Sequence, residues 1–197
     1  EAGIDGKIYS IDIRRYDEKQ PWAIDYGDGP RMEMLSLADV WTQHCPSEWA
    51  DRIVRLNGLS VDVMKRWKSR GLPSPEFAFI DGSHDYDSVK HDFFSMLHVA
   101  SSSFRVVFDD YAHKQGFGVC QFIDSEIEEI FQTELVLTDR RWNEKDNLQT
   151  EDPDHGMVFL DSDRALESWR NIFPDTLVDN YLKTHRRNLW FQKWSEK

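Results

Sequence analysis

The sequence is poor in the features that staple, anchor or repeat a chain. Its 197 residues hold two cysteines, Cys45 and Cys120. That excludes a disulfide framework and any CxxC redox or zinc motif. No apolar run approaches the roughly 18 residues that a membrane-crossing helix needs. No signal-peptide pattern opens the chain. There is no internal repeat and no low-complexity tract. Basic residues are outnumbered: Lys+Arg total 24 against 36 Asp+Glu, a net charge of −12. An acidic surface repels phosphate backbones, which argues against a nucleic-acid binder held by bulk charge. These absences lead to the expectation of a soluble, cytoplasmic protein with neither nucleic acid nor membrane as partner.

What is present suffices for a packed core. Hydrophobic residues make up 40% of the chain and aromatics 13%, with eight Trp. The expectation is one domain over residues 1–197, with a core over 7–160 and a helical, aromatic tail over 161–197. Apolar runs alternate with amphipathic stretches, the pattern of an α/β sheet with helices on its faces.

Residues 7–13 (KIYSIDI) read as a strand ending near Asp12. Residues 14–30, rich in Asp, Gly and Pro, read as a long loop, and residues 34–43 as a helix. Residues 52–56 read as a strand closed by an Asn57-Gly58 turn, with Ser60 capping a helix over 61–69. The runs FAFI (77–80) and FRVVF (104–108) suit buried strands. They end at Asp81 and at Asp109-Asp110. Asp87, or Asp85 before it, reads as the cap of a helix reaching about residue 100, and residues 119–131 as another helix. Residues 134–138 and 157–160 read as a closing strand pair. Two short helices follow, over 165–172 and 176–185, and then an aromatic, basic segment with Trp190, Phe191 and Trp194.

Ligands of open parallel α/β sheets bind just beyond the carboxyl ends of the strands. Here those ends carry Asp12, Gly58, Asp81 and Asp109. Carboxylates suit hard cations such as Mg²⁺, so Asp81 and Asp109 on adjacent strands can converge on one ion, with Asp110 as third ligand. His84, three residues beyond Asp81, is a candidate general base because imidazole titrates near neutrality. Asp12 can accept both hydroxyls of a ribose. Gly58 admits close approach of a flat ligand. Each has a plainer alternative: a turn-forming Asp, a left-handed glycine turn, a solvated loop histidine. His91-Asp92 lies inside an amphipathic helix and reads as a pair of polar side chains facing solvent.

The segments FAFIDGSHDYDSVKHDF and FRVVFDDYAHKQGFGVCQFID resemble the class I S-adenosylmethionine-dependent methyltransferases. Within them the chain is similar to the metal-dependent small-molecule O-methyltransferases of the macrocin type, and to cephalosporin hydroxylase-like proteins. The resemblance runs from about residue 7 to residue 160. It implies a Rossmann-like sheet, mostly parallel with an antiparallel closing pair and helices on both faces. It implies S-adenosylmethionine as cofactor, with Asp12 on its ribose, Gly58 and Ser60 lining its adenine pocket, and Asp81 beside it. It implies Mg²⁺ or another divalent cation on Asp81, Asp109 and Asp110, and His84 as the base toward a hydroxyl of a sugar or similar metabolite. The first strand and glycine-rich loop of such a fold do not occur in the sequence and are expected to lie upstream of residue 1. A non-catalytic binding or oligomerisation module, and a metal-dependent hydroxylase, are the alternative readings. Acceptor choice is expected to lie in residues 14–30, 111–118 and 141–154, and a homo-oligomer is compatible with the aromatic tail.

Overall fold

The computed structural model describes residues 6–112, 116–137, 141–143, 148–150 and 155–185. The chain divides into two compact units, residues 1–63 and 64–197.

In the first unit β1 (Ile8–Asp12) leads into a hairpin of β2 (Lys19–Asp25) and β3 (Pro30–Ser36). Two helices follow, α1 (Leu37–His44) and α2 (Ser47–Ala50), before the chain returns as β4 (Ile53–Asn57). β4 pairs parallel with β1, Ile8 opposite Ile53 through Asp12 opposite Asn57. The helix α3 (Ser60–Lys65) comes next. The hairpin replaces the long loop expected over 14–30. Its strands alternate: Gln20, Trp22 and Ile24 are half-buried, and Lys19, Pro21, Ala23 and Asp25 are exposed. Pro21 is tolerated because the sheet has only two strands and each is an edge. Trp22 Nε1 donates to the Leu35 carbonyl at 2.9 Å across the pair. β3 also takes the residues expected to open a helix at 34. The helix starts at Leu37, where Ser36 Oγ accepts from the Asp39 N–H (3.1 Å) and the Asp39 carboxylate accepts from the Ser36 N–H (3.0 Å).

The second unit opens with β5 (Phe77–Ile80), α4 (Tyr86–Val99) and β6 (Arg105–Ala112). The expected helix over 119–131 is three pieces: α5 (Gly118–Phe122), a π-helical turn (Ile123–Ile127) and α6 (Glu128–Phe131). β7 (Glu134–Leu137), β8 (Arg141–Asn143), β9 (Leu148–Thr150) and β10 (His155–Asp161) follow, then α7 (Trp169–Ile172) and α8 (Asp175–Thr184). The strand order is β5-β6-β10-β7. β5 and β6 are parallel, and β10 runs antiparallel to both β6 and β7, which is the expected closing pair.

The architecture is mixed α/β. The expectation of a mostly parallel sheet needs correction: among the described residues, β1–β4 and β5–β6 are parallel, and the other four pairings are antiparallel. The excess comes from two hairpins, β2–β3 and β8–β9, neither of which was expected as strands. The core of the second unit is aromatic. Phe93 of α4 packs on Phe108 of β6 (ring centroids 5.8 Å apart) and on Phe122 of α5 (5.6 Å), and all three are fully buried. Burying such a side chain stabilises the fold by about 1.5–3 kcal/mol. This packing fixes α4 against the sheet, and with it the loop that joins β5 to α4. Among the described residues no helix is long and apolar enough to cross a membrane. Trp190, Phe191 and Trp194, and residues 113–115 and 151–154, lie outside the described residues.

Candidate functional site

Because β5 and β6 are parallel and in register, Ile80 opposite Phe108, their carboxyl ends lie side by side. Asp81 is the first residue past β5. β6 does not stop before Asp109-Asp110, as expected, but continues to Ala112 through a bulge. Gly156 pairs with Tyr111 and Val158 with Phe108, so Asp109 and Asp110 together oppose Met157. A bulge re-aims the side chains it carries. Here Asp110 takes φ +56°, a left-handed conformation that Asp bears better than most residues.

The consequence is a convergence of three donors. Asp110 Oδ2 lies 2.6 Å from His84 Nε2. Asp81, His84 and Asp110 each offer one ligating atom within 4.8 Å of the others. Atoms bound to one small cation lie at most twice the metal–ligand distance apart, roughly 4–5 Å for oxygen donors. Donors at that spacing can share a single divalent ion. Asp109, expected as a ligand, is not among the converging donors. Its carboxylate accepts from the Asp110 N–H at 2.9 Å.

The loop bearing His84 is held from both sides. Asp85, rather than Asp87, caps α4 by accepting from the Ser88 N–H (3.0 Å), and Ser83 Oγ donates to the other Asp85 oxygen (2.5 Å). The Gly118 N–H donates to the His84 carbonyl at 2.7 Å, and the His84 ring lies 4.7 Å from that of Phe117. Beyond Asp110, the Tyr111 hydroxyl donates to Asp124 Oδ1 at 2.8 Å, on the π-helical turn. Burial, reinforced by that hydrogen bond, pushes the Tyr111 phenol above its ordinary range. Tyr86 and Lys90 both donate to Glu126 on the same turn. Sequence reasoning missed Asp124 and Glu126. Their only signal was the concentration of acids in an otherwise apolar helix. Cys120 is buried and its thiol is pushed up by that burial, so it is not an activated nucleophile.

The residues expected to hold a nucleoside lie in the first unit. Asp12 ends β1, and Gly58 follows β4 with its N–H donating to the Asp12 carbonyl at 2.9 Å. Gly58 has φ +139°, a conformation that a side chain would strain. Ser60 opens α3. The Asp12 carboxylate is one-quarter exposed and accepts from Arg14 three times: from its N–H at 2.8 Å, Nε at 3.4 Å and Nη2 at 3.3 Å. A half-buried strand-end carboxylate beside a glycine turn offers two acceptor oxygens to hydroxyl donors.

A family model described as a methyltransferase domain matches residues 1–111. That span includes Asp12, Gly58, Ser60, Asp81, His84, Asp109 and Asp110. No curated protein matches the chain.

Proposed function

The chain belongs to this family of methyltransferase domains, and from that premise we propose that it transfers a methyl group from S-adenosylmethionine to a hydroxyl of a small molecule, such as a sugar. The observation that carries the reading is the convergence of Asp81, His84 and Asp110 at the ends of two adjacent parallel strands. Asp12, Gly58 and Ser60 are the residues assigned to the nucleoside. Asp81 and Asp110 would hold Mg²⁺ or another divalent cation. What such a cation supplies is positive charge that lowers the pKa of an acceptor hydroxyl. What the cofactor supplies is a sulfonium methyl.

The protein's own part is proton removal and placement. With His84 Nε2 2.6 Å from Asp110, the neutral imidazole would carry its proton on Nε2, and Nδ1 would be the base. His84 takes the hydroxyl proton there. Asp110 fixes the ring and stabilises the imidazolium, as a carboxylate does behind a catalytic histidine. The bulge gives Asp110 its aim, and the loop contacts of Asp85 and Gly118 give His84 its position. Orientation of the acceptor oxygen toward the methyl group supplies much of the remaining rate.

The test is transfer of labelled methyl from S-adenosylmethionine to a panel of sugars and other small hydroxyl compounds, with Mg²⁺ and with EDTA. Wild type is expected to turn over only with metal, and His84→Ala to lose about 10²–10⁴-fold in rate. Wild-type turnover in His84→Ala overturns the base assignment. A second reading has one observation behind it. An imidazole among the converging donors suits iron better than magnesium, and would support oxidative hydroxylation on the same scaffold. Activity that requires oxygen and co-purified iron selects that reading instead.

A further inference from the structure

We infer that Phe117 and Gly118 form a positioning element that sets the orientation of His84, a role that rests on the reading of His84 as a working residue of the site. The argument starts from a close approach of two backbones. A Cβ at Gly118 would lie 2.6 Å from the Asp85 carbonyl carbon and from Tyr86 Cα, and closer still to the Tyr86 nitrogen. Those are backbone atoms, with no flexible side chain to move aside. Only glycine lets the start of α5 lie against the turn between His84 and α4. That approach puts the Gly118 N–H 2.7 Å from the His84 carbonyl. It also brings the Phe117 ring to 4.7 Å from the imidazole.

The backbone of His84 and its ring are therefore both held by consecutive residues of one segment. The far side of the turn is held separately, by Asp85 capping α4. With the turn fixed at both ends, the ring is left aimed at Asp110, 2.6 Å away. Gly118 has no conformational need to be glycine, since its φ is not in the left-handed region. The close approach is the whole of its reason. A methyl group there must drive α5 and the His84 turn apart and so loosen the aim on Asp110. A misplacement of about 1 Å costs on the order of 100-fold in rate.

The experiment follows the imidazoles of the full chain, labelled with ¹⁵N, by long-range ¹H–¹⁵N correlation. The His84 signals are assigned by their loss in His84→Ala. In wild type they are expected to show the Nε2-protonated form. In Gly118→Ala they are expected to move toward a mixture of tautomers while the other histidines keep their positions. The kcat for methyl transfer is expected to fall about 100-fold with KM for S-adenosylmethionine unchanged. A merely structural role would lower the melting temperature and leave the His84 pattern intact. Should Gly118→Ala not fold, Phe117→Leu decides, because it keeps the backbone approach and removes the ring contact. Unmoved His84 signals in a folded Gly118→Ala, or in Phe117→Leu where the former does not fold, overturn the inference. Moved His84 signals in a chain whose wild type transfers no methyl group leave the positioning intact and refute the proposed function instead.

Discussion

Replacing Asp110 separates its two roles, because its backbone conformation and its carboxylate can be removed independently. Its φ of +56° is a conformation that costs an ordinary residue about 1–2 kcal/mol. Asn tolerates it nearly as well as Asp. Glycine adopts it freely, but gives back up to about 1 kcal/mol through the greater freedom of the unfolded chain. All three replacements, Asp110→Ala, Asp110→Asn and Asp110→Gly, remove the charge facing His84. The His84 side chain is 40% exposed, so that contact is worth only about 0.2–1 kcal/mol. Asp110→Ala is therefore expected to lose about 1–3 kcal/mol, and Asp110→Asn and Asp110→Gly about 1 kcal/mol or less. Urea unfolding without metal reads these differences through the midpoint at constant slope. Mn²⁺ binding, followed by its electron paramagnetic resonance signal, reads the other role. It is expected to weaken at least about 100-fold in every variant, whatever its stability, since changes even outside the ligand shell cost 10–100-fold. Equal stability of Asp110→Ala and Asp110→Gly would refute the strained-bulge argument. Wild-type Mn²⁺ affinity in Asp110→Gly would refute the assignment of Asp110 as a ligand.

Glu126→Gln is expected to destabilise the fold by about 1–3 kcal/mol at pH 7. Burial raises the Glu126 carboxyl, but hydrogen bonds from Lys90 and Tyr86 outweigh it and hold the group below the ordinary carboxylate range. Its contribution is therefore complete above the unfolded value near about 4.3 and is lost as pH falls through the lower folded value. The gap between wild type and Glu126→Gln in urea midpoints is expected to close below about pH 4; a gap that does not change with pH contradicts the pairing. Arg14→Ala is expected to tighten S-adenosylhomocysteine binding by up to about fivefold, because it removes a competing donor from Asp12 worth about 1 kcal/mol or less. Calorimetry measures it, and weaker binding would make Arg14 part of the site.

The elements that build the site were legible because they are local patterns. FAFI and FRVVF are apolar runs bounded by acids, and α4 follows with an aspartate cap. Those features place Asp81, His84 and Asp110 at one end of a sheet from the sequence alone. The rest depended on partners distant in sequence. The bulge at Asp109-Asp110 exists only against β10, and it is what separates a converging Asp110 from an Asp109 turned to its neighbour's N–H. The Gly118 close approach needs α5 and the turn after β5 together, so no window around Gly118 announces it. The β2–β3 hairpin was hidden by Pro21 and by its acidic residues, which dilute the alternation that marks a strand. Asp12 was found at its strand end, but its engagement with Arg14 was not, since a surface ion pair leaves no periodic trace.

The methyl-donor claim is tested most directly by titrating S-adenosylhomocysteine into the full chain by calorimetry, with Mg²⁺ and again with EDTA. The account predicts saturable binding with a dissociation constant on the order of micromolar, about −8 kcal/mol. Absence of binding in both conditions, from a protein that unfolds cooperatively, would contradict it.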